Sequence, residues 1–354
     1  MDITQLLGFA VKQDASDVHL SAGEPPMLRI HGDIKRLEHA ALTAEDVHTM
    51  VFDVMNDQQR KFFQEHLDLD FSFELGELAR FRVNVFLQRK GTAAVFRTIP
   101  TEVISLDGLA MPPILRELCE KERGLVLVTG PTGSGKSTTL AAMIDYINST
   151  TETHILTVED PIEFVHKSKK SLINQREVGP HTHSFANALR GALREDPDVI
   201  LVGEMRDLET VSLALTAAET GHLVFGTIHA SSAWQTFGRI YDLFPEAERD
   251  QIRKLLAYNL RAIVYQKLLP TLHENIVRIP AVEILLNTPI VQKYILEARE
   301  GELLDVIKRS TEEGMIDFTS SLVQLVETEY IHHRVALEAT PRPEELKMRL
   351  KGIS

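Results

Sequence analysis

The stretch Gly130-Pro131-Thr132-Gly133-Ser134-Gly135-Lys136-Ser137 lies near the middle of this 354-residue chain and decides the fold around it. It matches the pattern G-x-x-x-x-G-K-[ST] at every fixed position. The apolar run Leu125-Val126-Leu127-Val128 comes before it and is typical of a strand buried on both faces. Apolar residues then recur at helical spacing over 140–147. A strand, a glycine-rich loop and a helix in this order predict a loop that binds phosphate.

The fixed residues of the loop suit a nucleoside triphosphate. Glycines let backbone N–H groups converge on phosphate oxygens, and the N-terminus of the following helix adds partial positive charge. Lys136 would neutralise the β- and γ-phosphates, and the Ser137 hydroxyl would bind Mg²⁺. The full match in this context disfavours the alternative of a glycine-rich turn with an incidental lysine. The residues predicted to bind the nucleotide are Gly130, Pro131, Thr132, Gly133, Ser134, Gly135, Lys136, Ser137 and Thr138.

The chain before the loop predicts a separate small α/β domain over residues 1–99. Its patterns indicate a helix near residues 6–11 and a hairpin around Gly32. The predicted strands cover residues 17–20, 28–30, 69–73, 79–87 and 93–98, the last ended by Pro100. Residues 100–113 contain several turn formers and predict a linker.

Residues 114–354 predict a second α/β domain. Strands near 155–158, 199–202 and 223–227 alternate with helices, two of which would be capped by Ser184 and Asp207. Alternation of this kind predicts a mostly parallel sheet covered by helices. After about residue 245 the pattern is mainly helical.

The composition is that of an ordinary soluble globular protein, with 44% hydrophobic and 25% charged residues. Acidic residues outnumber basic ones to give a net charge of −13, which argues against charge-driven binding to nucleic acid or an anionic membrane. The one cysteine, Cys119, excludes internal disulfides and a multi-cysteine metal site. No stretch approaches the roughly 18 apolar residues of a membrane span, and no signal-peptide pattern opens the chain. We therefore expect a cytoplasmic protein.

Glu204 ends the apolar run 199–202 after Gly203 and has the position of a Walker B acid. A carboxylate there would lie beside the phosphate loop and hold Mg²⁺ directly or through water. Aspartate is commoner at this point than glutamate. The alternative is an acid that merely faces solvent.

A second acidic cluster, Glu159-Asp160-Pro161-Ile162-Glu163, follows the strand at 155–158. Carboxylates at the carboxyl end of a strand point into the crevice where an open α/β sheet binds its ligand. Hydrolysis needs a group that orients or deprotonates water, and Glu163 is the candidate. A solvated acidic turn is the alternative.

Two histidines, His222 and His229, flank the strand at 223–227. A shared zinc site is disfavoured because the two ends of such a strand lie roughly 20 Å apart. His229, at the carboxyl end, is a candidate sensor of the γ-phosphate, with a structural histidine as the alternative. His181 and His183 are expected in an exposed loop.

Arginine can stabilise the charge that develops during phosphoryl transfer. The first domain offers Arg82 and Arg97 on predicted strands, although a surface role is the ordinary one for any single arginine. Lys167, Lys169, Lys170 and Arg176 form a basic stretch that is expected to be a subunit contact or a solvated face.

Together these segments resemble the PilT family, the type IV pilus retraction ATPases within the secretion-type AAA-like superfamily. The resemblance covers the chain to about residue 320. It rests on the phosphate loop and on the segments 15–20, 157–163, 194–198, 204–207 and 216–222.

The resemblance implies a homohexameric motor with a PAS-like N-terminal domain and a RecA-like ATPase domain with C-terminal helices, using ATP and Mg²⁺. It implies that Glu163 is the catalytic glutamate, that Glu204 is the Walker B acid, and that His222 and His229 form the histidine motif. It places the arginines of the N-terminal domain at Arg82 and Arg97. It also implies a site at the inner membrane, with a pilus platform protein as partner.

The stretch 290–297 departs from the family pattern, which has an Ala-Ile-Arg-Asn-Leu-Ile-Arg-Glu motif needed for retraction. Gln292 and Leu296 stand where the motif has its two arginines. The segment 308–315 is similar to that of the accessory retraction ATPase PilU, which would act beside a paralogous motor. The alternatives are therefore a PilU-like accessory motor, a pilus-extension or secretion ATPase, and a nucleotide-binding scaffold that does not hydrolyse ATP.

Overall fold

The computed structural model describes residues 2–30, 32–76, 78–99, 102–273 and 276–352. They form two compact units, the first comprising Met1–Glu102 with Glu163–Val165 and the second Val103–Ile162 with His166–Ser354. The predicted linker is wrong over 103–113, because this segment buries Leu106 and Met111 in the core of the second unit. Pro100 and Thr101, which belong to the same prediction, lie outside the described residues.

The first unit is built on an antiparallel six-stranded sheet with the order β3-β2-β1-β6-β5-β4. Along the strand 79–88, Phe81, Val83 and Val85 are fully buried, whereas Arg82 between them lies on the other face. This is the period-two pattern of a sheet with one buried face. The elements of the unit are α1 (Ile3–Lys12), β1 (Asp17–Ser21), β2 (Met27–Ile30), β3 (Asp33–Arg36), α2 (Ala44–Phe52), α3 (Asp57–His66), β4 (Asp68–Leu75), β5 (Ala79–Gln88) and β6 (Gly91–Ile99).

The second unit confirms the predicted mostly parallel sheet. Seven strands lie in the order β13-β12-β7-β11-β10-β8-β9, and only the pair β12–β13 is antiparallel. The strands are β7 (Gly124–Thr129), β8 (His154–Glu159), β9 (Leu172–Glu177), β10 (Val199–Val202), β11 (Leu223–Ile228), β12 (Leu260–Pro270) and β13 (Arg278–Leu286). The helices are α4 (Ile114–Cys119), α5 (Lys136–Thr150), α6 (Phe185–Ala192), α7 (Leu208–Glu219), α8 (Thr236–Tyr241), α9 (Glu246–Asn259), α10 (Pro289–Leu296), α11 (Leu303–Arg309), α12 (Phe318–Glu327), α13 (His333–Ala339) and α14 (Pro343–Leu350).

Hydrophobic clusters cover both faces of the second sheet. Leu125 and Leu127 of β7 belong to one cluster, and Val126 and Val128 belong to the other. Successive side chains of a strand point to opposite faces, so β7 is buried on both sides, as its unbroken apolar run predicts.

The mainly helical pattern predicted after residue 245 is wrong over two segments. Leu260–Pro270 forms β12 and Arg278–Leu286 forms β13, and helices resume only at α10. Both segments are mainly apolar, and a short run of this kind fits a buried strand as well as a buried helix, so periodicity alone does not separate them. These two strands complete the sheet on the side of the phosphate loop.

The single cysteine provides a test of the core. Cys119 is buried, and burial raises the pKa of its thiol well above the ordinary value. Because only the thiolate reacts, we expect no reaction with Ellman's reagent at pH 8 in the folded chain and one equivalent in guanidinium chloride. Rapid labelling of the folded chain would contradict this packing.

Within the described residues, no helix is both long and apolar enough to cross a lipid bilayer.

Candidate nucleotide-binding and catalytic site

The phosphate loop runs from the end of β7 to the start of α5. Gly130 has φ +143°, and a Cβ there would lie 2.3 Å from the backbone oxygen of Gln266. Gly135, at the start of α5, has φ +85°. Both positions therefore require glycine, the first because of close backbone approach and the second because of its left-handed conformation.

Lys136 lies half-buried over the loop that precedes it. Its Nζ donates hydrogen bonds to the backbone oxygens of Gly130 and Pro131, each at 3.0 Å. Burial lowers the pKa of Lys136, and the negative charge of Glu204 works against that shift. A lysine has three N–H donors, so one remains for a phosphate oxygen.

The predicted site residues of the second unit lie at one edge of the sheet. The loop beginning at Gly130 follows β7, His229 follows β11, and Glu204 comes two residues after β10. These strands are parallel and in register, so their carboxyl ends meet at the same edge. The structure thus brings together three elements that are distant in sequence.

Glu204 is held by two partners. Its Oε1 lies 3.1 Å from His229 Nε2, and its Oε2 accepts a 2.6 Å hydrogen bond from Arg206 Nη2. Burial works to raise the pKa of the Glu204 carboxyl, but the hydrogen bond and charge of Arg206, with His229 and Lys136, outweigh it and lower the pKa. Glu204 is therefore a carboxylate, and its surroundings are positive.

The backbone around Glu204 is fixed by β11. The Thr227 hydroxyl donates to the oxygen of Gly203 at 2.5 Å, and the N–H of Met205 donates to the oxygen of Thr227 at 3.0 Å. A Cβ at Gly226 would lie 2.5 Å from Met205 Cε, so glycine at this position leaves room for the Met205 side chain. The Walker B segment and the His229 segment are thereby joined.

A donor set for Mg²⁺ is present in this unit. Ser137 is exposed in the first turn of α5, and Glu204 offers a carboxylate. Hydroxyl and carboxylate oxygens suit Mg²⁺, which is usually bound by one or two carboxylates together with substrate phosphates. No group of three or more His, Cys, Asp or Glu side chains in the described part of the chain forms a metal cage of its own.

The acidic segment after β8 contains residues in different settings. Glu159 is buried, and its Oε1 accepts hydrogen bonds from Thr157 Oγ1 at 2.7 Å and Gln175 Nε2 at 3.2 Å. Glu163 is exposed and belongs to the first compact unit. Glu159 therefore forms hydrogen bonds with neighbouring side chains inside the second unit. The catalytic role of Glu163 remains a prediction.

Arg82 and Arg97 lie side by side in the first unit. They are opposite each other on β5 and β6, and Asp17 of β1 is opposite Arg97 on its other side. Arg97 Nε donates to Asp17 Oδ1 at 2.9 Å, and Arg29 Nε lies 3.8 Å from Asp17 Oδ2. The two predicted arginines thus belong to a charged row on one face of the sheet. Asp17 and Arg29 were not assigned a role from the sequence.

His222 and His229 have different surroundings, as the sequence predicts. The Nδ1 of His222 lies 2.9 Å from the backbone oxygen of Ala217, at the amino end of β11. His229 faces Glu204 at the carboxyl end. His181 and His183 are exposed.

Comparison with known proteins agrees with these findings. The family model "Type II/IV secretion system protein" matches residues 1–313. The chain is 52% identical over 344 residues to the type IV pilus retraction ATPase PilT of Pseudomonas aeruginosa, covering 97% of this chain and 99% of that protein. The chain belongs to the PilT family.

Two further relatives place the chain within this family. It is 40% identical over 351 residues to the type IV pilus ATPase PilU of Pseudomonas aeruginosa, covering 99% of this chain and 92% of that one. A crystal structure of the pilus retraction motor PilT with bound ADP superposes with a TM-score of 0.92 at 46% identity, covering 98% and 99% of the two chains. The α/β fold and the ATPase class of this PilT-family chain are thus confirmed.

Proposed function

We propose that the chain is a motor ATPase that powers type IV pilus retraction and hence twitching motility. The observation that carries this proposal is the 52% identity to PilT over nearly the whole of both chains. The phosphate loop, Glu204 and His229 at one sheet edge provide the chemistry of a nucleotide hydrolase.

Each site residue has a proposed task in hydrolysis. Lys136 and the amides of the loop hold the phosphates of ATP. Glu163 orients the attacking water, and Arg82 and Arg97 close over the nucleotide. Mg²⁺, held by Ser137 and Glu204, would neutralise charge on the phosphates. His229 senses the γ-phosphate through its contact with Glu204.

The proposed assembly is a homohexamer in the cytoplasm, located at the inner membrane by a pilus platform protein. Hydrolysis would rotate the two compact units about the boundary between Glu102 and Val103. A paralogous retraction ATPase is a further proposed partner. The net charge of −13 argues against a nucleic-acid substrate.

A PilU-like accessory motor is the second candidate, because the retraction motif is altered in α10. Gln292 Nε2 donates to the backbone oxygen of Ala257 at 3.1 Å, so it contributes to packing between α10 and α9. Leu296 is exposed. Identity over nearly the whole chain is higher with PilT than with PilU, which favours the primary motor.

A combined experiment tests the proposal. The purified chain is expected to hydrolyse ATP, to lose that activity in EDTA, and to elute with a mass close to six chains of 39.8 kDa. Introduced into a bacterium that lacks its own PilT and PilU, it is expected to restore pilus retraction. Restoration only when a PilT-type paralogue is also supplied would identify the accessory motor. Nucleotide binding without turnover would instead support the scaffold alternative.

A further inference from the structure

A buried glutamine lies directly against the phosphate loop. β12 runs parallel to β7 with Tyr265 opposite Thr129, so the next residue, Gln266, lies beside Gly130, where the loop begins. The side chain of Gln266 is buried within the second unit. Because β12 was not predicted from the sequence, this residue received no role there.

Both ends of the Gln266 amide are used on the loop and on the helix that follows it. Its Nε2 donates to the backbone oxygen of Ser134 at 2.7 Å. Its Oε1 accepts from the hydroxyl of Thr139, in α5, at 2.8 Å. A Cβ at Gly135 would lie 3.1 Å from Nε2, so the amide and the loop backbone are closely packed. Because the backbone oxygen of Ser134 can only accept, it fixes the NH2 end of the amide toward the loop, and the Thr139 hydroxyl then donates to the other end.

The hydrogen bond to Ser134 sets the orientation of a whole peptide group. The C=O of Ser134 and the N–H of Gly135 belong to one planar trans peptide, in which they point in opposite directions. Holding the carbonyl toward Gln266 therefore directs the N–H of Gly135 away from β12. Loops of this type bind phosphate with such N–H groups.

We propose that Gln266 is a positioning residue for nucleotide binding, which holds the Ser134–Gly135 peptide so that its N–H faces the phosphates. The inference rests on the proposed nucleotide site and adds a residue that acts through the backbone of the loop. Glutamine suits the task because it supplies one donor for Ser134 and one acceptor for Thr139. Glutamate would place an oxygen against the Ser134 carbonyl, and an apolar side chain would leave that carbonyl without its donor.

Nucleotide affinity tests this role directly. We expect Gln266→Glu and Gln266→Met to raise the Kd for ADP, and the KM for ATP, by about 10- to 100-fold. This factor corresponds to the loss of one hydrogen bond to a charged group, here the one from the Gly135 N–H to a phosphate. The effect on kcat should be smaller, because Lys136 still faces the bound phosphate and Glu204 would still hold Mg²⁺. Gln266→Met keeps the length and neutrality of the side chain and thus separates the lost hydrogen bond from buried charge.

Gln292→Glu is the matched control. Gln292 also donates its side-chain amide to a backbone oxygen, that of Ala257 at 3.1 Å, but it lies in α10. The same chemical change should leave the Kd for ADP unchanged. Protection of Cys119 from Ellman's reagent checks that every variant is folded.

Two outcomes separate this inference from the proposed function. If the wild-type chain binds no ADP, the proposed function itself fails. If the wild-type chain binds ADP and the folded Gln266→Met variant binds it within twofold, only the positioning role is overturned, and Gln266 is a packing residue.

Discussion

Lys136→Ala is expected to abolish ADP binding and ATP turnover. The Nζ of Lys136 lies over the loop, 3.0 Å from the backbone oxygens of Gly130 and Pro131, where the phosphates are proposed to bind. Losing one well-placed donor in a catalytic site costs about 10²–10³ in kcat, and here a full positive charge facing phosphate is lost as well.

Thermal unfolding measures the loss of binding without any assay of activity. ADP at 100 times its Kd stabilises the wild-type chain by about 2.7 kcal/mol, which raises the unfolding midpoint by about 5–10 °C for a unit of this size. We expect no rise for Lys136→Ala. The control is Lys169→Ala, which removes an exposed lysine that pairs with Asp145 in the same unit. An unaltered ADP-dependent rise in Lys136→Ala would reject the nucleotide site.

The features encoded locally were predictable from the sequence. The phosphate loop, the strand before it and the helix after it come from one continuous segment. The helix caps are also encoded locally, because the side chains of Ser184 and Asp207 accept hydrogen bonds from backbone N–H groups three residues later in the chain. The capping boxes at Thr43 and Asn56 begin α2 and α3, and they are a local signal that the sequence analysis left unused.

Features that depend on pairing between distant segments were not predictable. β12 and β13 are mainly apolar segments whose strand character is decided by pairing with β7 and with each other. The role of Gln266 depends on that pairing, since it contacts Ser134 across 132 positions of sequence. The turn formers of residues 103–113 are typical of a linker, whereas burial of Leu106 and Met111 makes this segment part of the second unit.

In the candidate site, too, the features encoded locally were predictable and those that depend on the folded structure were not. Glu204 and His229 were predicted because each follows a buried strand, and the parallel sheet then brings them within 3.1 Å. Arg206 was not given a role, although its guanidinium pairs with Glu204. An arginine two residues after an acid has many orientations in a flexible chain, and only the fixed turn after β10 selects this one.

Glu163→Gln is expected to lower ATP turnover by about 10²–10⁴-fold while the Kd for ADP stays unchanged, because general-base assistance contributes about that factor. The substitution keeps the size of an exposed side chain but removes the charge that would orient or deprotonate water. Glu163 lies outside the phosphate loop, so the groups that hold the phosphates remain. Turnover is measured by release of inorganic phosphate, and affinity by the same ADP-dependent unfolding shift.

The matched control for Glu163→Gln is Glu152→Gln. Glu152 is also exposed, but it lies in the connection between α5 and β8, at the amino-terminal edge of the sheet. Catalysis in an open α/β sheet takes place at the opposite, carboxyl edge, so Glu152→Gln should hydrolyse ATP at the wild-type rate. Lys136→Ala and Glu163→Gln then fail differently, the first in binding and the second in hydrolysis alone. If Glu163→Gln turns over ATP at a rate close to that of Glu152→Gln, the water-orienting acid is a different residue.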